Sequence, residues 1–253
     1  MKTVRNALVR PVPDSYDGCV RSNREEINVA LAKKQHTEYC ETLKQLGLKL
    51  ITVDADNALP DSCFVEDTAA IFGEEAVICN MKTASRAKET LEVAKVLSRL
   101  KDTYFIKPPA TIDGGDILTV EDTVFVGLTS RTNMHAVKQL ERILTKSDFR
   151  VVPVKVHGVL HLKSACTYLG GNYVVMAEGF FETDLLRNYG KIVVPKGKEY
   201  AADCLAVNGT VLVAKGYPET HRLIEKAGFS AREMDVSEFR KGDGALTCLS
   251  ILF

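Results

Sequence analysis

Short apolar runs recur along the chain in pairs, each pair split by a brief polar turn. The stretches "VEDTAAIFGEEAVIC", "GGDILTVEDTVFVGL", "LKSACTYLGGNYVVMA" and "AADCLAVNGTVLVA" hold two such runs around "GEE", "VED", "GGN" and "NG". Paired runs around turns of this chemistry predict β-hairpins. A fifth stretch, "ALTCLSILF", opens the same way and stops after one run. Aligned on Asp67, Asp116, Ser164, Asp203 and Thr247, the five are spaced by 49, 48, 39 and 44 residues. Helical periodicity fills the gaps. "SNREEINVALAKKQHTEYCETLKQLG" predicts a helix that opens on a Ser22–Glu25 capping box and stops at Gly47. "SRAKETLEVAKVLSRL" sets Leu91, Val93, Ala94 and Leu97 on one face, and "RTNMHAVKQLERIL" does the same with Val137, Leu140 and Leu144. "PETHRLIEKAG" starts near Pro218 and ends at Gly228. "LKLITVDAD", "YFIKP" and "FRVVPV" read as further strands that add an edge to each unit.

A repeat of this period points to a solenoid or a radial array. Neither end of the chain reads as a cap, so a closed ring fits better than an open stack. The expected fold is α/β, five strand-helix units around a central axis, with residues 1–253 as a single domain. The N-terminal "TVRNALVRPV" is expected to pair with the last strand and close the ring.

Composition narrows the function classes. The 33 basic and 33 acidic residues cancel, so nothing favours nucleic acid or an anionic membrane. No apolar run reaches the ~20 residues of a membrane span, and the N-terminus lacks the apolar core of a signal peptide. The seven cysteines are scattered and form no CxxC pair. That argues against a zinc ribbon or a disulfide framework and for a reducing, cytoplasmic setting.

A ring also gathers chemistry, because equivalent positions of each unit face the axis. Asp113 lies three residues before its marker, His161 three before Ser164, and Glu66 and Asp67 sit at the first marker. Cys248 directly follows Thr247, in what reads as the terminal strand. A thiol is a nucleophile at neutral pH when a cation holds it as thiolate; taken alone, a strand cysteine is usually core. Cys204 holds the equivalent spot in "AADCLAV" and reads as core. His36, His135 and His221 fall in helical patterns and are expected on the surface, and His157 lies in a turn. Asp61, Glu66 and Asp67 cluster around Phe64, and Asp113 and Asp116 flank two glycines. Each group reads either as a solvated turn or as a cation site. Their spacing is too sparse for calcium and suits a forked organic cation such as guanidinium. Arg86 and Arg131 start helices, where the dipole disfavours a cation, which leans toward anion binding.

Taken in order, "LPDSCFVEDTA", "TIDGGDIL", "GLTSRTN", "LHLKSA", "AADC" and "DGALTCLS" resemble the dimethylarginine dimethylaminohydrolases, members of the guanidino-modifying pentein superfamily. The resemblance spans essentially the whole chain and implies a five-bladed α/β propeller with its active site on the axis. It implies Cys248 as nucleophile, His161 as acid/base, and Asp67 and Asp113 as the guanidinium carboxylates. Asp61, Phe64 and Glu66 would contact substrate, Arg86 and Arg131 would hold its α-carboxylate, and Gly242 would touch it through backbone. Relatives often carry a larger apolar residue at the Gly242 position, which bears on pocket size. A lid near "SYDGCV" would place Cys19 or Val20 over the site. The implied reaction is hydrolysis of Nω-methylated arginines to citrulline and methylamines through a cysteine thiouronium, with no metal and no cofactor. Arginine or agmatine as substrate, or a guanidine-binding relative without turnover, are the alternatives. The expected partner is a small guanidino compound, with no nucleic acid and no membrane; a homodimer is left open.

Overall fold

The structure, a computed structural model, describes residues 3–253. All four predicted hairpins form: Ala69–Phe72 with Glu75–Ile78, Ile117–Val120 with Thr123–Leu128, Cys166–Gly170 with Tyr173–Met176, and Leu205–Val207 with Thr210–Ala214. Each turn contains a residue in the left-handed region, among them Gly73, Glu121, Asn172 and Asn208, as tight hairpins require. A third strand then runs parallel to the second of each pair: Asp102–Phe105, Arg150–Lys155, Gly190–Val193 and Ser230–Met234.

The fifth sheet closes the ring as expected. Ile251–Leu252 pairs antiparallel with Asn6–Val9, Ala7 opposite Leu252, and Lys49–Thr52 adds in parallel on the far side. The five leading strands surround the axis. Residues from every one of them, including Ala70, Leu118, Tyr168, Leu205 and Ile251, line one axial cavity of about 270 Å³. Middle strands carry the driest side chains, such as Val124, Val126, Val174, Val175, Val211 and Val213. The fold is a five-bladed α/β propeller.

Helices Val29–Gln45, Glu89–Leu97, Met134–Ile143 and Pro218–Lys226 connect the middle and outer strands of their blades. The third blade uses only the short 3-10 turn Thr183–Leu186 there, which explains why the repeat interval from Ser164 to Asp203 is the shortest. Among the described residues no helix is long and apolar enough to cross a membrane.

Several local expectations fail for identifiable reasons. The first helix begins only at Val29, capped by Asn28, whose side chain accepts the Leu31 N–H at 3.0 Å. Ser22 does not cap it, because its N–H and hydroxyl bond Asp243. Gly47 ends that helix at φ +88°, as read. Leu91 is 58% exposed, and Thr90, Val93 and Leu97 form the inner face instead. His36 is buried, and burial pushes its imidazole down to about 4.

A 3-10 turn precedes each leading strand: Val65–Thr68, Gly114–Asp116, Leu162–Ser164, Glu199–Ala202 and Thr247–Leu249. Phe64, Asp113 and His161 are the caps of the first three. Buried carboxylates staple the turns together around the axis. Asp67 accepts the Gly115 N–H at 3.0 Å, Asp116 the Leu162 N–H at 3.0 Å, and Asp203 the Thr247 N–H at 3.1 Å.

Candidate active site

The common offset seen in the sequence becomes a common end of the propeller. Asp113 and His161 cap neighbouring turns, and His161 Nε2 lies 3.2 Å from Asp113 Oδ2. His161 Nδ1 lies 3.9 Å from Asp67 Oδ1. The glycines of "DGGD" permit this approach: a Cβ on Gly115 would sit 2.6 Å from His161 Nδ1, and one on Gly114 would sit 2.0 Å from the Glu66 carbonyl oxygen. Asp116 holds the frame, accepting the Thr129 and Thr132 hydroxyls at 2.8 and 2.6 Å.

Cys248 sits on the turn Thr247–Leu249 rather than in the last strand, and the strand begins only at Ile251. The Ala245 N–H approaches its Sγ at 3.4 Å. The turn packs directly against Val65–Thr68, which carries Glu66 and Asp67. Cys204, at the matching offset, is fully buried and donates to the Ala201 carbonyl at 3.1 Å, as expected of core.

Electrostatics divide the groups sharply. Burial opposes charge on His161, yet Asp67 and Asp113 outweigh it and raise the imidazole to about 9. Burial would raise Asp67, but His161 and Arg86 hold it down at about 2. Cys248 is pushed well above the usual thiol range, first by burial and then by Asp203, Glu66 and Asp67. At neutral pH the site without substrate therefore holds an imidazolium, a carboxylate at Asp67 and a neutral thiol. Asp67 favours the imidazolium of His161 and disfavours the thiolate of Cys248.

Both arginines are present. Arg86 is buried, with Nη1 on Asp67 at 2.9 Å, Nε and Nη2 on Glu89 at 3.0 and 2.9 Å, and Nη2 on the Phe64 carbonyl at 3.3 Å. Arg131 is more accessible, its Nη1 on Thr83 Oγ1 at 2.5 Å and on Asp113 Oδ2 at 3.4 Å. Asp61 accepts the Val20 N–H at 3.1 Å, while Val20 itself is 44% exposed and Cys19 is buried. Gly242 lies under Tyr16, where a Cβ would meet the phenol oxygen at 2.4 Å. Among the described residues, Asp67, Asp113 and His161 bring ligand atoms within 4.8 Å of one another. A metal ion there would compete with Arg86, Arg131 and the imidazole's own proton.

Sequence reasoning gave no role to Lys163, which binds Glu66 Oε1 at 2.5 Å in the ring floor. Its only signal was its place two residues after His161. Glu89, Thr83, Thr129 and Thr132 were also passed over. Glu89 pairs locally with Arg86, and Thr129 and Thr132 bond Asp116 within their own blade; only Thr83 meets its partner, Arg131, across blades.

Residues 13–212 match the family described as N,N dimethylarginine dimethylhydrolase, eukaryotic. The chain belongs to this family. It is 32% identical to the N(G),N(G)-dimethylarginine dimethylaminohydrolase of Pseudomonas aeruginosa over 96% of both chains. It is 35% identical to the enzyme of that name from Streptomyces coelicolor, over 98% of this chain and 96% of the relative. A crystal structure of the Pseudomonas aeruginosa enzyme, a cysteine-to-serine mutant complexed with citrulline, superposes with a TM-score of 0.96 at 30% identity, covering 99% of this chain and all of that one. A histidine-to-glycine form of a dimethylarginine dimethylaminohydrolase, as its adduct with S-methyl-L-thiocitrulline, fits with the same TM-score, identity and coverage. The N-terminal domain of a cyanobacterial arginine dihydrolase shares the fold, with a TM-score of 0.90 at 20% identity.

Proposed function

We propose that the chain hydrolyses Nω-methylated arginines, asymmetric dimethylarginine and monomethylarginine, to citrulline and the corresponding methylamine. The observation that carries this is the pair of buried carboxylates bracketing His161. Asp113 Oδ1 is buried without a hydrogen-bond donor, and a buried acceptor in that state calls for one. A guanidinium supplies donors in the forked geometry that carboxylates accept.

Asp67 and Asp113 hold the guanidinium flat against Cys248. Its positive charge favours the thiolate that burial and the acids oppose. The thiol proton passes to solvent as the cation arrives. The sulfur attacks the central guanidinium carbon, forming a C–S bond. The bond to the methylated nitrogen breaks as His161 gives that nitrogen its proton, and the amine departs. A thiouronium remains on Cys248. His161, now neutral, takes a proton from water; hydroxide adds to the same carbon, the added hydroxyl gives up its proton to solvent, and the C–S bond breaks to release citrulline and the thiolate. Arg131 takes the α-carboxylate, and Arg86 adds positive charge from behind Asp67. Asp61, Phe64 and Glu66 line the substrate, Gly242 meets it through backbone, and Val20 covers it. Seven unpaired cysteines fit a reducing cytoplasm.

The test is a substrate panel of asymmetric dimethylarginine, monomethylarginine, arginine and agmatine, read as ureido product. Both methylated substrates should turn over, and agmatine, which lacks the α-carboxylate, should lose roughly tenfold or more in kcat/KM. Equal rates for agmatine would reject the arginine clamp. No product from any of the four would mark a guanidine-binding relative without turnover.

A further inference from the structure

The nucleophile's loop is held by a segment from the other end of the chain. Residues 19–28 have no regular structure and form a strap tied to Asp61 at one end and to Asp243 further on. On one side the Val20 N–H donates to Asp61 at 3.1 Å. On the other side Asp243 accepts both the N–H and the hydroxyl of Ser22, the latter at 2.9 Å, and the Asn23 amide at 3.4 Å. The Asn23 amide also donates to the Lys241 carbonyl at 2.8 Å. Ser22, Asn23 and Asp243 line a cavity of about 960 Å³ together with Leu160 and Ser164, which flank His161.

The backbone at Asp243 is unusual. It adopts φ +58°, a region that glycine enters freely and other residues at a cost. Both neighbours are glycines for steric reasons. A Cβ on Gly242 would lie 2.4 Å from the Tyr16 phenol oxygen, and one on Gly244 would lie 2.1 Å from the Phe64 ring. Glycine would be the easier residue at 243 as well. A carboxylate stands there instead, aimed at Ser22. Two residues later the Ala245 N–H reaches the Cys248 sulfur.

We propose that Asp243 is a positioning residue. Its carboxylate fastens the strap to the Cys248 loop, so that covering bound substrate and setting the sulfur are one event. Asp61 anchors the strap on the first blade and Asp243 anchors it on the fifth, so the latch spans the two turns that carry Asp67 and Cys248. The kinetic part of this proposal rests on the reading of Cys248 as the nucleophile.

The unusual φ supplies the test. Asp243→Gly removes the carboxylate and suits the backbone. Asp243→Asn keeps one acceptor and tolerates the left-handed region. Asp243→Ala loses both advantages. Two readouts need no turnover: hydrogen exchange at the Ser22 amide, and the alkylation rate of Cys248 by iodoacetamide. A third is the split between KM and kcat for asymmetric dimethylarginine. With Asp243→Gly, Ser22 exchange and KM should each rise on the order of tenfold, the worth of a charge-assisted hydrogen bond, while the melting temperature holds. Alkylation should rise as the strap releases. Asp243→Asn should recover part of each change, and Asp243→Ala should add a fall in melting temperature. Native Ser22 exchange in Asp243→Gly would overturn the latch, and so would a loss confined to melting temperature. If the parent makes no citrulline, the exchange and alkylation results still decide the latch, and the functional reading fails separately.

Discussion

At His161 two carboxylates outweigh burial and lift the imidazole from 6.5 to about 9. A folded value above the unfolded one means that the stabilisation is complete below pH 6.5 and is lost as pH climbs through about 9. In urea unfolding, the stability gap between the native chain and His161→Gln should therefore narrow by a few kcal/mol between pH 6 and pH 10. A gap independent of pH over that range would reject the imidazolium–carboxylate pairing. Asp67 works in the opposite sense, its contribution present above 3.8 and lost as pH falls through about 2. Residue identity was the most legible part of the site. Asp113 and His161 share an offset of three residues before their markers, while Asp67 and Cys248 lie at or just after theirs, and this much is visible without coordinates. What stayed hidden was the company they keep. Arg86 and Glu89 meet within one short stretch, but the contact of Arg131 with Thr83, 48 residues away, exists only because the blades adjoin.

The 3-10 turns do more to shape the site than the strands they precede. Three of the five turns, those at Gly114–Asp116, Leu162–Ser164 and Thr247–Leu249, have a backbone N–H held by a buried carboxylate from the blade before. Gly114 sits where two turns touch, so Gly114→Ala should force Val65–Thr68 and Gly114–Asp116 apart. We expect it to cost about 1–3 kcal/mol and to lower kcat, as judged by thermal melts and citrulline release. Gly18→Ala is the control, since its added Cβ would meet only Pro60, at 3.8 Å. Equal effects at the two positions would contradict this role for the turns. Sequence pattern found the hairpins, because their turns and apolar pairs are local. It misplaced the start of the first helix, because the partner that claims Ser22 lies 221 residues away. It gave no strand at "SAREM", an outer edge whose side chains are mostly out of the core and so carry no alternation. It also put Cys248 in a strand, because a single turn of 3-10 helix has no periodicity to read.

The whole ring depends on one junction. Asn6–Val9 supplies the middle strand of the fifth blade, and without it the two-residue strand Ile251–Leu252 has no partner there. The backbone of Phe253 also bonds Asn6 in both directions, at 2.6 and 3.0 Å. We infer that the five blades form one cooperative domain, closed at this seam. Deleting residues up to Val9 should abolish activity and replace a single thermal transition with a broad or absent one, as followed by circular dichroism. A sharp native-like melt in the shortened chain would show that closure is dispensable. Ring closure was foreseeable from the fifth stretch, which lacks a second strand at the C-terminus and finds it at the N-terminus.

The decisive measurement is mass spectrometry of enzyme quenched in acid during turnover of asymmetric dimethylarginine, run beside His161→Gly, in which the second step should stall. In the parent the peptide carrying Cys248 should gain the mass of the substrate less dimethylamine, and in His161→Gly, which lacks the acid of the first step as well as the base of the second, the same adduct should form slowly and persist. Citrulline production with no adduct on Cys248 in either protein, or with the adduct on another cysteine, would mean that the sulfur at the tip of the last turn is not the nucleophile.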